Sequence, residues 1–264
     1  MAQVLTPADL ALPLRSDPIR IVPVHQVDEI GLVSDAALAG PPPQLTYRGG
    51  PLLTAIEVFT IFWGPAWTTA QKPLADHLNQ FFDAILVSPL IDQLGEYSTA
   101  ALKIGHGKRI GTATITSPVP HRALSDGSIQ HFLQQEIATN SAIPKPTPQT
   151  LYFIYPPPGS SVSQGGTRSC QAFCGYHNDI NANIFYGVLP YAGCAGCTGS
   201  MSVSDAMTVT TSHEMCEAIT DPVPGHGWYD DANGEIGDIC AWQTKTVAGF
   251  MVQKEWSNNA NACV

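Results

Sequence analysis

Residues 205–222 of the chain read Asp-Ala-Met-Thr-Val-Thr-Thr-Ser-His-Glu-Met-Cys-Glu-Ala-Ile-Thr-Asp-Pro. The pattern predicts a helix from about Asp205 to Thr220, because Pro222 cannot continue a helix and restrains the residue before it. Positions four apart on a helix share a face, so His213 and Glu217 are expected to project side by side. The segment therefore predicts a helix that directs an imidazole and a carboxylate to one point.

A pair of this kind is suited to binding a metal ion. Glu214 follows His213 directly and can lean over the same point, as the general base does in HExxH zinc hydrolases. Glu217 stands where those enzymes have a second histidine. Its charge should weaken the acidifying effect of the ion on bound water, and it also suits calcium or manganese. We predict one Zn²⁺ ion and rank Ca²⁺ and Mn²⁺ below it; the opposing interpretation is a surface helix with a Glu-rich polar face.

The third protein ligand must come from outside the helix. Glu235 and Asp238 follow Glu217 by 18 and 21 residues, in the segment Glu-Ile-Gly-Asp. We rank this pair above Asp221, which sits at the helix end and could instead cap a neighbouring segment or orient His213 as a supporting carboxylate. We also rank it above His226, which lies in a Gly-rich turn where solvated histidines are common. Between Asp238 and Glu235 the choice stays open.

Two further residues are candidates for the site. His177 follows Cys170 and Cys174 closely, so a disulfide-bounded loop could hold it rigidly as a ligand; the alternative is a hydrogen-bonded structural histidine. Tyr229 could stabilise a developing oxyanion, as a catalytic partner of Glu214. Its alternative role is packing against the neighbouring Trp228.

The cysteines favour an oxidising compartment. All seven lie between Cys170 and Cys263, and Cys216 falls inside the predicted helix, where a buried free thiol is common. The other six could form three disulfides, whose pairing the spacing leaves open. A structural zinc knot at the Cys194/Cys197 pair is the competing interpretation. The disulfide candidates are Cys170, Cys174, Cys194, Cys197, Cys240 and Cys263.

Composition excludes several classes of partner. A net charge of −10 with 12 Lys and Arg in 264 residues provides no electrostatic footprint for nucleic acid. No apolar run approaches the roughly 20 residues that span a bilayer, so membrane insertion is not expected. The first 18 residues lack the pattern of a signal peptide. Because the cysteines favour an oxidising compartment, we still expect a secreted protein, one whose export signal is not present in this chain. Its expected substrate is a peptide or protein.

The order of the predicted elements indicates an α/β (or α+β) fold. Residues 1–44, rich in proline, are predicted as an extended arm, and residues 45–264 as one zincin-like metallopeptidase domain. This domain would have a mixed twisted sheet, packed helices including the active-site helix, and a loop-rich C-terminal part. Asn183–Leu189 is predicted as an edge strand to which a peptide could add. The other strands are expected at Ala55–Trp63, Lys108–Thr116 and Leu151–Tyr155, and the other helices at Thr69–Leu94, with a break near Pro89, and at Ile129–Thr139.

Several motifs, in their order and spacing, resemble the phosphate-induced, EXORDIUM-like family of secreted proteins. The resemblance covers roughly residues 45–240. It is carried by Leu45–Leu53, Phe62-Trp63-Gly64, the Cys170-x-x-x-Cys174-Gly175-x-His177 segment, the Cys194/Cys197 pair, and the stretch from Asp205 to Pro222.

The chain is most similar to the bacterial pattern within that family, SHExxExxTDP followed by GWYD and EIGD. The matching residues are Ser212-His213-Glu214, Glu217, Thr220-Asp221-Pro222, Gly227–Asp230 and Glu235–Asp238. The resemblance implies a zincin-like metallopeptidase. The departure from HExxH at a ligand position puts proteolysis in question. The alternative is a non-catalytic secreted or cell-wall-associated binding or signalling module with a structural metal site.

Overall fold

A computed structural model describes residues 21–25 and 42–264. Most of the predicted arm therefore lies outside the described residues. In chain order the strands are β1 (Ile21–Pro23), β2 (Thr46–Tyr47), β3 (Glu57–Trp63), β4 (Lys108–Ile115), β5 (Ala123–Ser125), β6 (Thr150–Tyr155), β7 (Ser161–Gln164), β8 (Thr167–Arg168), β9 (Phe173–Ile180), β10 (Ile184–Val188), β11 (Trp228–Tyr229), β12 (Thr244–Val247), β13 (Phe250–Gln253), β14 (Trp256–Ser257) and β15 (Ala262–Cys263).

Five α-helices are present in the described part of the chain. They are α1 (Lys72–Ile85), α2 (Pro89–Leu94), α3 (Asp126–Thr139), α4 (Ala195–Thr198) and α5 (Val203–Thr220). No helix among the described residues is long and apolar enough to cross a membrane.

A central sheet of six strands organises the molecule, in the order β1-β9-β10-β6-β3-β4. The four strands from β10 to β4 are parallel to their neighbours, whereas β9 runs antiparallel to β10 and β1 antiparallel to β9. This mixed sheet confirms the predicted α/β class. Smaller two- and three-stranded sheets flank it.

Both faces of the central sheet are covered, which explains the nearly continuous apolar run of β6. Leu151, Phe153 and Tyr155 point to the face covered by α1, α2 and α5. Tyr152 and Ile154 point to the opposite face, which α3 covers. Alternate side chains of one strand thus belong to two separate hydrophobic cores.

Two sequence-based predictions about strands are wrong. The segment around His177, predicted as a disulfide-bounded loop, contains β9, which forms a hairpin with β10 through residues 181–183. Asn181 and Ala182 have positive φ, and Asn is among the residues that tolerate this conformation. In consequence β10, within the predicted edge strand Asn183–Leu189, is an interior strand between β9 and β6. The part of the arm that is described, β1, forms the sheet edge beyond β9.

Three disulfides stabilise the half of the chain that carries the predicted site. Cys170 pairs with Cys194, Cys174 with Cys197, and Cys240 with Cys263. These are the six predicted cysteines, and the pairing that the spacing left open is now defined. Cys216 is free and buried in α5, as predicted.

Candidate metal centre

The helix α5 is buried on almost every side. All residues from Ala206 to Thr220 are buried, because the helix lies between the sheet strands β9 and β10 and the C-terminal hairpin β12–β13. The Ser202 hydroxyl caps its first turn by accepting a hydrogen bond from the Asp205 N–H. Burial therefore extends to the polar side chains of the helix, and His213, Glu214 and Glu217 are each 0% exposed.

Gln253, at the end of β13, orients the His213 ring. The Gln253 amide nitrogen donates to the Gly237 carbonyl (2.8 Å), and its oxygen accepts from the Trp242 N–H (3.1 Å). These two bonds identify which end of the Gln253 amide is the oxygen. That oxygen lies 3.0 Å from His213 Nδ1 and can only accept a hydrogen bond from it. In the neutral ring the Nδ1–H therefore donates to Gln253, and Nε2 carries the lone pair, as in metal-bound histidines.

His213 Nε2 faces two carboxylates. It lies 2.9 Å from Glu217 Oε1 and 3.9 Å from Asp238 Oδ1. Although the first contact is short, His213 Nε2 has no hydrogen-bond partner among the described residues. The Asp238 N–H donates to Glu217 Oε1 (3.1 Å), which holds the loop carrying Asp238 against the helix. These three side chains form a group that could hold a metal ion.

His177, on β9, belongs to a second group. Its Nε2 lies 3.2 Å from the Asp221 carbonyl oxygen, which can only accept, so in the neutral ring Nδ1 carries the lone pair. Nδ1 lies 3.1 Å from Glu214 Oε2 and 3.4 Å from Glu217 Oε2. His177, Glu214 and Glu217 are the second group that could hold a metal ion, and Glu217 is common to both.

Asp221 stabilises the turn after α5. Its Oδ1 accepts from the N–H groups of His226 (3.0 Å) and Gly227 (2.5 Å), and its Oδ2 from that of Gly225 (2.6 Å). This is the capping role considered from the sequence. The His226 side chain is exposed, with Nδ1 3.2 Å from the Pro224 carbonyl oxygen. Neither residue belongs to the group around His213 or to the group around His177.

The two leading candidates for the third ligand lie near different histidines. Asp238 faces His213, as described above. Glu235 is fully buried, and its Oε1 lies 3.6 Å from His177 Nε2. The Glu235 N–H donates to Asp238 Oδ2 (2.9 Å), so the two acidic residues support one another's loop.

Tyr229 lies on β11, which pairs with β2. The Arg48 guanidinium stands 4.5 Å from the centroid of its ring. The role of Tyr229 in stabilising an oxyanion stays a prediction.

The carboxylates and imidazoles perturb one another strongly. Burial acts to lower the pKa of His177, but Glu214 and Glu217 override it and raise the pKa to about 10. Burial likewise acts to lower the pKa of His213, and Glu217 raises it well above its usual range. Burial raises the pKa of Glu235 well above its usual range, and Glu217 adds to the effect. Without a cation, protons must therefore neutralise this cluster.

The donor set suits a metal ion. Two atoms bound tetrahedrally to one zinc ion lie about 3.4 Å apart. The contacts of His213 with Glu217 and Asp238 (2.9 and 3.9 Å) bracket this distance, as do those of His177 with Glu214 and Glu217 (3.1 and 3.4 Å). Glu214 Oε1 and Glu217 Oε2 are buried and have no hydrogen-bond partner among the described residues. Buried, unpartnered carboxylate oxygens beside imidazole lone pairs are what a cation would satisfy.

Sequence reasoning missed two residues of this region. Gln253 and the fully buried Glu255 lie in a stretch predicted as irregular. The sequence signal for the hairpin was limited to Gly249 between two short runs; in the structure Ala248 and Gly249 both have positive φ, as a type I′ turn requires. The contact of Gln253 with His213 spans 40 residues and depends on the fold.

Neither protein-family models nor curated protein sequences match this chain. The resemblance to the EXORDIUM-like family thus stays a prediction, and any function must be inferred from the site.

Proposed function

We propose that this chain is a secreted zinc-dependent peptidase whose ion is held by His213, Glu217 and Asp238. One observation carries the proposal: His213 directs an unpartnered Nε2 at Glu217, and Gln253 fixes the ring from the other side. The three disulfides support an exported protein, because such bonds persist in oxidising compartments. When bound, zinc supplies a Lewis acid and lowers the pKa of a water molecule.

Glu214 is the general base in this proposal. His177 holds Glu214 Oε2 (3.1 Å), while Oε1 is free of hydrogen bonds among the described residues. Oε1 takes a proton from water as the water oxygen bonds to the peptide carbonyl carbon. The same proton then passes from Glu214 to the amide nitrogen as the C–N bond breaks, which leaves a carboxylic acid and an amine.

The outer edge of β9 is the place we propose for the peptide. Val22 of β1 pairs there with Gly175, and a Cβ at Gly175 would lie 3.3 Å from Glu214 Oε1. An extended peptide hydrogen-bonded to this edge would therefore pass beside the base. Because β1 pairs with this edge, residues 21–25 must leave before a peptide can bind.

Contacts beyond the strand pairing hold residues 21–25 in place. The His25 ring stacks on Trp242 with centroids 3.8 Å apart, and the Trp242 indole N–H donates to the Pro23 carbonyl (2.9 Å). Val22 is fully buried. The segment thus covers the edge as a peptide would.

Burial also favours a second candidate function. Residues 0–1% exposed are typical of structural metal sites, and a structural ion would make this chain a binding or signalling module without hydrolytic activity. Chelation separates the two. Removing either kind of ion should lower the melting temperature, but only removal of a catalytic ion should abolish hydrolysis, and adding zinc back should restore it.

The Glu214→Gln variant tests the catalytic proposal. We expect hydrolysis of unfolded casein to fall at least about 100-fold while zinc binding is retained, because an amide cannot accept the proton. Glu136→Gln is the matched control, since Glu136 is a buried glutamate of α3 on the opposite face of the sheet. Equal activity of Glu214→Gln and wild type would refute Glu214 as the general base. No hydrolysis by the zinc-loaded protein, whether residues 21–25 are on β9 or released from it, would refute a peptidase.

A further inference from the structure

The Glu217 carboxylate is divided between two histidines. Its Oε1 lies 2.9 Å from His213 Nε2, and its Oε2 lies 3.4 Å from His177 Nδ1. The two imidazoles come from different elements, α5 and β9, and approach Glu217 at different oxygens. A carboxylate in this position has the arrangement of a bridging ligand.

Both histidines are prepared for a ligand in the same way. Each has one ring nitrogen next to a carbonyl-type oxygen, that of Gln253 for His213 and that of Asp221 for His177. Each therefore presents its other nitrogen to carboxylates. A neutral imidazole lone pair beside a carboxylate is repulsive unless a proton or a metal ion lies between them.

The charge of the cluster exceeds what one ion can neutralise. Six buried or nearly buried carboxyl groups surround the two histidines, and their side chains are at most 7% exposed. Asp221 is compensated by three backbone N–H groups, and Glu217 Oε1 and Asp238 Oδ2 accept one backbone N–H each. Other carboxylate oxygens have no hydrogen-bond partner among the described residues and depend on protons or cations; they are Glu214 Oε1, Glu217 Oε2 and both oxygens of Glu235 and Glu255. The six carboxyl groups are those of Glu214, Glu217, Asp221, Glu235, Asp238 and Glu255.

We propose that the centre binds two divalent cations bridged by Glu217, the second being held by His177, Glu214 and Glu217. This inference rests on the proposed function for the first ion, at His213, Glu217 and Asp238. In carboxylate-bridged hydrolases the two metals lie about 3.5–4 Å apart. The donors, one imidazole and shared carboxylates for each ion, suit Zn²⁺ or Mn²⁺.

Glu214 keeps a role in hydrolysis within this arrangement. Its Oε2 faces His177 Nδ1 and would bind the second ion, while Oε1 has no hydrogen-bond partner among the described residues. Glu235, 3.6 Å from His177 Nε2, lies on the other side of the imidazole ring from the second ion.

Metal stoichiometry of the full chain tests the inference. Protein treated with chelator is titrated with Zn²⁺ by calorimetry, and bound metal is counted by elemental analysis after gel filtration. We expect two ions per chain in wild type and one in either His177→Ala or His213→Ala. Protein loaded with Mn²⁺ should show the spin-coupled resonance of a bridged pair, and His177→Ala should show an isolated ion.

The outcomes distinguish this inference from the proposed function. One ion per chain in wild type, with an uncoupled Mn²⁺ signal, overturns the second site and leaves the peptidase proposal standing. No bound ion overturns both. If His177→Ala does not fold, the wild-type stoichiometry and its resonance decide the question by themselves.

Discussion

The helices α3 and α5 pack on opposite faces of one sheet, yet they bury different kinds of side chain. In α3 the buried positions are mainly apolar, at Ile129, Phe132, Leu133 and Ile137, and the remaining surface is largely exposed. In α5 every residue from Ala206 onward is buried, charged residues included.

Carboxylates on the two faces also differ in their partners. Asp126, at the start of α3, accepts hydrogen bonds from the hydroxyls of Tyr176 (2.8 Å) and Tyr186 (2.7 Å). Glu217 on α5 instead faces two histidines and leaves Oε2 without a hydrogen-bond partner among the described residues. On the α3 face, the protein itself supplies the partners of the Asp126 carboxylate. On the α5 face, cations supply the partners of the Glu217 carboxylate in our proposal.

The largest contrast should come from truncating one residue on each helix. Leu133→Ala removes a fully buried apolar side chain of α3 and should lower the free energy of unfolding by about 2–5 kcal/mol. His213→Ala should instead lower zinc affinity by more than about 100-fold. Chemical denaturation and zinc calorimetry on both variants measure the two effects. The comparison fails if Leu133→Ala loses zinc as severely as His213→Ala does.

Stability of the metal-free protein should fall as pH rises from 5.5 to 8. Burial raises the pKa of Glu235, Asp238 and Glu255, and the neighbouring carboxylates raise those of His213 and His177 despite burial. The folded state thus binds more protons than the unfolded state across this range. Each such proton contributes a slope of about −1.4 kcal/mol per pH unit.

The Glu217 carboxyl does not reverse this slope. Burial acts to raise its pKa, but His213 and His177 lower it to about 2. Its contribution to stability is therefore fully present at every pH above the pKa of the unfolded glutamate, and it does not change between pH 5.5 and 8. Metal replaces the protons, so the gain in melting temperature on adding zinc should widen with pH. Thermal melts with and without zinc measure this, and a metal-free protein more stable at pH 8 than at pH 5.5 would oppose our description of the cluster.

A further difference is that the candidate site beside α5 is covered, because β1 pairs with the edge of β9 next to that helix. Val22→Asp places a charge where a valine is fully buried and should release residues 21–25 from β9. We expect the rate of peptide hydrolysis to rise about tenfold. While residues 21–25 cover β9 in most molecules, few can bind a peptide, and this lowers the apparent affinity for the substrate. His25→Ala, which removes only the stacking on Trp242, should have a smaller effect in the same direction. Unchanged or lower activity in both variants would place the peptide elsewhere.

The smallest expected effects come from a pair of glycines. A Cβ at Gly237 would lie 2.8 Å from His213 Nδ1 and 2.9 Å from Glu217 Oε1, so Gly237→Ala should weaken zinc binding about tenfold. Gly127 in α3 has open space around it, and Gly127→Ala should stabilise the helix by about 0.5–1 kcal/mol. Calorimetry and denaturation of both variants provide the comparison. Zinc affinity unaffected by Gly237→Ala would show that His213 and Glu217 are not the ligands.

Local patterns were sufficient for most strands of the central sheet and for four of the five described α-helices, the short α4 being missed. The observed α5 begins two residues before the predicted start and ends at the predicted Thr220, because Pro222 marks its end. The break near Pro89 separates α1 from α2 as predicted. The strand β9 was missed because the sequence around Cys174 and Gly175 is typical of a loop.

The composition of the site depended on contacts that no local pattern encodes. His213, Glu214 and Glu217 follow from helical spacing alone. Gln253 and His177 reach them from strands 40 and 37 residues away, and only the tertiary fold brings them together. The choice between Asp238 and Glu235 had the same origin: both residues lie on one loop that folds onto the helix, and each faces a different histidine.

Anomalous diffraction at the zinc edge, from crystals of the full chain grown with zinc, tests the central claim most directly. The account predicts a peak about 2.0–2.1 Å from His213 Nε2 and within coordination distance of Glu217. Zinc peaks confined to the protein surface, with none inside the cluster around α5, would contradict it.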